Sequence, residues 1–191
     1  MRSHVVELLA DASAAFDNAG VRWYLFGAQA ALLHGAARLT ADVDVTVRLK
    51  PHIDVAALVD IFRSHGFEPR FEAAAFIERT RVVPLVHQRT SIPLDIVVAG
   101  PGLEDLFFER VRVHEVEGVR IPVASPEDLI VMKILAGREK DTDDVRAILA
   151  AQRTRIDAGY VRETLKSLET ALGQSDLRPA FELALRRDAD G

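Results

Sequence analysis

The chain contains no cysteine. That excludes a disulfide framework, a thiolate nucleophile and a cysteine-ligated zinc, so any metal must sit on carboxylates or imidazoles. Long apolar runs are missing too. The longest apolar-looking stretch, Trp23 to Leu33, already contains Gly27 and Gln29 and falls short of the roughly 20 residues that span a bilayer, so no membrane partner is expected. Nor is there an excess of base: 24 Lys+Arg face 29 Asp+Glu, a formal net charge of −5 over 191 residues. A nucleic-acid partner would need a local basic patch against that field. The six histidines are scattered, with neither the i,i+4 spacing nor the acid pattern of a zinc site, and Ser125 has no Gly-x-Ser-x-Gly setting for acyl transfer. Glu7 and Asp11 interrupt the segment where a signal peptide needs an unbroken apolar core; a cytoplasmic protein is the expectation.

What is present is ample apolar material, 49% of residues with 28% charged, enough for one globular domain or a core with a helical appendage. Ser3 to Asn18 has helical spacing and an Asn-Ala-Gly stop. Val21 to Phe26 is a short buried strand ended by Gly27, and Ala28 to Leu33 a short helix. Ala41 to Leu49 alternates strictly, with Asp42, Asp44, Thr46 and Arg48 opposite Val43, Val45, Val47 and Leu49. Pro51 to His65 reads as a helix. Phe71 to Val83, Pro84 to Arg89 and Ser91 to Val98 read as strands, Leu103 to Arg110 as a short helix, and Val111 to Val116 with Val119 to Val123 as a hairpin turned at Glu117-Gly118. Ser125-Pro126-Glu127-Asp128 is a helix-start signal, and helices follow from Asp141, Ala158 and Arg178. The expected fold class is therefore α/β (α+β): a core over residues 1–124, then a helical region over 125–191 packing on it.

Asp42 and Asp44, two apart on a strand, share a face with Cα atoms about 6.5–7 Å apart. Both carboxylates can converge on a cation, which would relieve their repulsion. The same pair also suits the solvent side of an amphipathic edge strand. A third acid, Asp95, interrupts the β-branched run Ile92 to Val98, where burying an unpaired carboxylate costs several kcal/mol, so it is paired, metal-bound or turned to solvent. Three hard oxygen ligands without sulfur suit Mg2+ or Mn2+.

Upstream, Leu25-Phe26-Gly27-Ala28-Gln29-Ala30 carries a strand into a small-residue turn and a helix, a geometry that offers backbone N–H groups to phosphate. Arg38 and Thr40, just before the acids, can contact phosphate oxygens or position the carboxylates; they also suit an ordinary loop and strand entry. Lys133 falls on the apolar stripe of its helix, at i+4 and i+3 from Leu129 and Ile130, and must either snorkel outward or meet an anion.

Phe26-Gly27-Ala28-Gln29-Ala30-Ala31-Leu32-Leu33-His34-Gly35, then Arg38-x-Thr40-x-Asp42-x-Asp44, then the distal strand aspartate, together resemble the minimal nucleotidyltransferase superfamily of polymerase-β-like fold. Nearest in pattern are bacterial members related to abortive-infection and toxin–antitoxin nucleotidyltransferases. The resemblance runs from about Trp23 to Val145, and its one departure is Ala28 where that pattern has Gly or Ser. It implies a mixed sheet flanked by helices with a C-terminal helical bundle, and transfer of a nucleoside monophosphate from an NTP to a hydroxyl acceptor. It further implies Mg2+ or Mn2+ on Asp42, Asp44 and Asp95. Gly27, Ala28, Arg38, Thr40 and Lys133 would attend the phosphates, with Asp144 a support or substrate contact. The acceptor is tRNA, a protein hydroxyl or a small antibiotic, and the partner a cognate antitoxin or a second copy. Arg70, Arg79, Arg81 and Arg89 offer a basic side for RNA. Ala28 keeps open a non-catalytic nucleotide- or partner-binding module, and the same acids could serve a phosphohydrolase.

Overall fold

The strictly alternating segment forms β2 (Val43–Arg48), and it lies inside a sheet rather than at an edge. The computed structural model describes residues 2–37, 40, 42–71 and 74–189. Their contacts divide into two units, 1–29 with 40–124 and 30–39 with 125–191. The first unit runs α1 (His4–Ala19), β1 (Arg22–Phe26), the start of α2 (Gly27–Leu33), β2, α3 (Val55–Ser64), β3 (Phe67–Pro69), α4 (Ala74–Thr80), β4 (Val82–His87), β5 (Pro93–Val98), α5 (Leu103–Phe108), β6 (Arg112–Val116) and β7 (Val119–Val123). The strands make one sheet in the order β3-β4-β5-β2-β1-β7-β6. β2 pairs antiparallel with β1 and parallel with β5, and β1 pairs parallel with β7.

One face of this sheet is the core. Val43, Val45 and Val47 of β2 and Leu94 and Ile96 of β5 are fully buried, each stabilising the fold by roughly 1.5–3 kcal/mol before the entropy of ordering is subtracted. Phe16 of α1 stacks on Trp23 at 4.9 Å and meets Phe62 of α3 edge-on at 4.8 Å, and Phe62 meets Phe67 at 5.1 Å. The opposite face carries Asp44, Thr46 and Arg48, and α5 covers only part of it. Phe108 of α5 lies edge-on to Tyr24 at 4.8 Å, the Arg48 guanidinium sits 4.4 Å over the same ring, and Thr46 is buried. The stretch of this face carrying Asp44 and Asp95 stays half-buried.

Two expectations fail between Phe67 and Val83. Where the sequence reads as a strand from Phe71, Ala74–Thr80 is a helix, and the strand starts only at Val82. Ala, Glu and Arg favour that turn of helix, and the Thr80 hydroxyl closes it by donating to Phe76 O at 2.8 Å. The three-residue β3, antiparallel to β4, is an addition that no periodicity announces.

The second unit holds α6 (Pro126–Ala136), α7 (Glu139–Gln152), a 3-10 turn (Arg153–Arg155), α8 (Ala158–Leu172) and α9 (Leu177–Ala189). Ser125 caps α6 as expected, its Oγ accepting from the Asp128 N–H at 3.1 Å with Pro126 in the first turn. α6 packs against α7, α8 and α9 and is buried on most sides, so even Glu127, Asp128 and Lys133 lie inside. Leu129, Ile130, Ile148, Val161, Leu165 and Phe181 form its apolar core.

Candidate active site

β2 and β5 run parallel in register, so Asp44 stands directly beside Asp95, one strand spacing of about 4.8 Å away across the sheet. Asp42 precedes Asp44 by two residues, and its negative charge acts on Asp95. Asp95 titrates above the ordinary carboxylate range. Burial is the main cause, Arg70 opposes it through its charge and hydrogen bond, and Asp42 adds to it. The Thr40 hydroxyl donates to Asp42 Oδ1, so the residue entering the strand positions the first acid.

On the other side of β2, Phe26 is the register partner of Asp44, and Gly27 follows it into α2. Gly27 has φ +70°, and a Cβ built there would lie 2.9 Å from Asp44 Cγ. Glycine is therefore required twice, for the left-handed backbone and for the approach of the carboxylate. Ala28 behind it is buried.

Arg70 follows the last residue of β3, and its guanidinium donates to Asp95 Oδ1. Its backbone N–H donates to Pro84 O at 3.0 Å, and Pro84 is in turn the register partner of Asp95. Arg70, Pro84, Asp95 and Asp44 thus stand in one row across four strand positions. The sequence places Arg70 in a basic cluster; its contact with Asp95 depends on the pairing of β3 with β4 and has no local signature. Of the others in that cluster, Arg81 pairs with Glu104 at 3.3 Å, Arg89 pairs with Glu7 and with Asp11 at 2.8 Å, and Arg79 lies in the last turn of α4.

The donor set suits a hard divalent cation. It is all carboxylate, on adjacent strands, and Asp95 already holds a positive group. Among the described residues, however, no three such side chains converge as a ready-made cage. Arg38 lies outside the described residues.

In the second unit Lys133 meets anions of its own unit. It is 6% exposed, with Nζ 2.6 Å from Asp144 Oδ2 and 3.4 Å from Asp141 Oδ1. Arg138 Nε closes on Asp141 Oδ2 at 2.5 Å. Asp141 accordingly titrates below its ordinary range: burial alone pushes it up, but the Arg138 hydrogen bond and the Lys133 and Arg138 charges outweigh that. Asp141 does not cap α7; the cap position is Arg138, and Asp141 sits in the first turn, where its charge suits the helix dipole. Asp128 is also buried and accepts from Tyr160 Oη at 2.6 Å and Ser125 Oγ at 2.7 Å.

A seven-stranded mixed sheet flanked by helices, with a glycine turn beside β2 and acids at Asp44 and Asp95 on adjacent parallel strands, is a nucleotidyltransferase-like fold. The chain belongs to a family described as nucleotidyltransferase of unknown function, whose model matches residues 3–179. Solved structures agree in fold. An antigenic nucleotidyltransferase-like protein from Paracoccidioides brasiliensis superposes with a TM-score of 0.55 at 17% identity, over 94% of this chain and 91% of that one. The antibiotic-resistance factor ANT(2'')-Ia in solution gives 0.60 at 17% identity, over 91% and 97%. Its crystal structure with adenylyl-2''-tobramycin gives 0.57 at 16% identity, over 88% and 98%. No curated protein sequence matches the chain. Among the described residues no helix is long and apolar enough to cross a membrane.

Proposed function

We propose that this protein transfers a nucleoside monophosphate from an NTP to a hydroxyl acceptor. The observation that carries the reading is the in-register placement of Asp44 beside Asp95, with Asp42 just before the strand of Asp44 and Gly27 against Asp44. Asp42, Asp44 and Asp95 would hold Mg2+ or Mn2+. When bound, such ions neutralise triphosphate charge and lower the pKa of an attacking hydroxyl.

The chain's own residues do the rest. The missing Cβ of Gly27 admits the Asp44 carboxylate to the turn; the Gly27 and Ala28 N–H groups would donate to the triphosphate, and Arg38 and Thr40 are proposed as further phosphate contacts. Asp95, with its raised pKa, is suited to take the acceptor proton. For Lys133 and Asp144 the proposed part is support, since each is buried against the other, and α6 and α7 are held by that pair.

A small or protein acceptor fits better than RNA, because the middle arginines are mostly paired with acids. ANT(2'')-Ia, crystallised with an adenylylated tobramycin, illustrates a small acceptor on this fold. The proposed location is the cytoplasm, where NTPs are available, and a toxin–antitoxin or phage-defence setting would make the acceptor a component of the cell. The test is incubation of wild type and Asp44→Asn with an acceptor pool and each radiolabelled NTP. Labelling by wild type alone supports the reading, and undiminished labelling by the variant overturns it.

A second reading has its own observations. Ala28 in place of Gly or Ser, together with Arg70 on Asp95, suits a binding module without catalysis. Calorimetric binding of Mg2+ and NTP with no labelled product would favour it. Release of inorganic phosphate or nucleoside monophosphate to water would instead mark a phosphohydrolase.

A further inference from the structure

Asp95 is already held by a positive group that the proposed reaction does not use. Arg70 stands one residue beyond the last ladder pair of β3, Pro69 with Leu85. Its side chain crosses β4 at Pro84, whose short ring presents no competing polar group, and ends on Asp95 two strands away. Arg81 and Arg89 reach acids outside the site, whereas Asp95 is the only acid paired with Arg70 among the described residues. The two side chains are 34% and 27% exposed, so the pair is neither freely solvated nor locked in the core. Its backbone anchor is independent of the contact: the Arg70 N–H bond to Pro84 O can persist while the side chain swings out.

We propose that Arg70 is an internal competitor for the cation site, a guanidinium that neutralises Asp95 in the metal-free protein and must leave when a divalent ion binds. The inference rests on the reading of Asp42, Asp44 and Asp95 as cation ligands. Three carboxylates gathered at two neighbouring strands, Asp42 just before β2, repel one another unless a positive group lies among them. Arg70 supplies that group while the site holds no ion, and its five donors and permanent charge suit a carboxylate better than lysine would. Cation loading therefore exchanges one positive partner for another, which weakens the apparent affinity for the ion by the fraction of time Arg70 holds Asp95.

The experiment is Mn2+ titration by calorimetry of wild type, Arg70→Ala, Arg70→Lys and Arg63→Ala, the last removing a neighbouring charge that pairs with Asp60 and Glu68. Arg70→Ala should bind Mn2+ about fivefold more tightly, the factor expected from losing one partly exposed ion pair. Arg70→Lys should fall between, and Arg63→Ala should match wild type. Independently, the Arg70 Nε–H signal in NMR should shift as Mg2+ is added to wild type and stay fixed in Asp95→Asn. Mn2+ binding by wild type with equal or weaker binding by Arg70→Ala overturns the competition while leaving the acid site standing. No Mn2+ binding by either protein removes the ligand assignment, and this inference with it.

Discussion

Gly27 and Asp44 are in contact as backbone and carboxylate: the glycine sits at φ +70°, and the space where its Cβ would stand is taken by the Asp44 side chain. The turn and the acid are therefore one unit, joined by the pairing of β1 with β2. Gly27→Ala should cost about 1–3 kcal/mol through backbone strain and displacement of Asp44. Urea unfolding measures the stability loss, and Mn2+ titration should show weaker binding. A variant with wild-type stability and wild-type affinity would contradict the contact.

Asp44→Asn keeps the shape of the side chain and removes its charge, so the fold should persist within about 1 kcal/mol. Transfer of labelled nucleotide should fall by about 100-fold or more. Thermal unfolding beside the labelling assay separates loss of chemistry from loss of structure.

Lys133 and Asp144 form a buried pair at 2.6 Å. Removing one partner leaves a buried charge alone, so Lys133→Ala should destabilise the protein by about 3–5 kcal/mol. Lys133→Met with Asp144→Leu, which removes both charges and keeps the volume, should recover most of that loss. Denaturant midpoints of wild type and the two variants test this. Equal loss in the single and paired variants would show that packing, not charge, is what Lys133 supplies.

Asp141 supplies a pH dependence. Its folded pKa lies below the ordinary 3.8, so its stabilising contribution is complete above that value and is lost as pH falls through the folded one. Asp141→Asn should therefore be less stable than wild type at pH 7, and the gap should narrow as pH drops below about 4. Unfolding midpoints across that range check the sign.

Much of the site was legible in the sequence because the residues that build it are local. Gly27 after a strand, Asp42 and Asp44 at strand spacing, and Asp95 in a β-branched run are each read within a few positions. The hairpin at Glu117-Gly118 was equally local, since both residues take positive φ there. Arg70 was visible only as a charge, and the choice at Lys133 between solvent and an anion stayed open until Asp144, 11 residues on, was placed beside it. The segment from 71 to 83 misled because its apolar residues fit a strand, while Ala, Glu and Arg favour a short helix.

The sequence by itself determined the residue types, their strand or helix spacing, and the all-oxygen chemistry that follows from the absence of cysteine. Tertiary structure alone decided that β2 is interior, that Asp44 lies beside Asp95, that Gly27 touches Asp44, and that Arg70 rather than solvent meets the third acid. The reason is physical. Periodicity fixes which face of a strand a side chain takes, but its neighbours across the sheet are set by register among segments tens of residues apart, and no local pattern encodes that register.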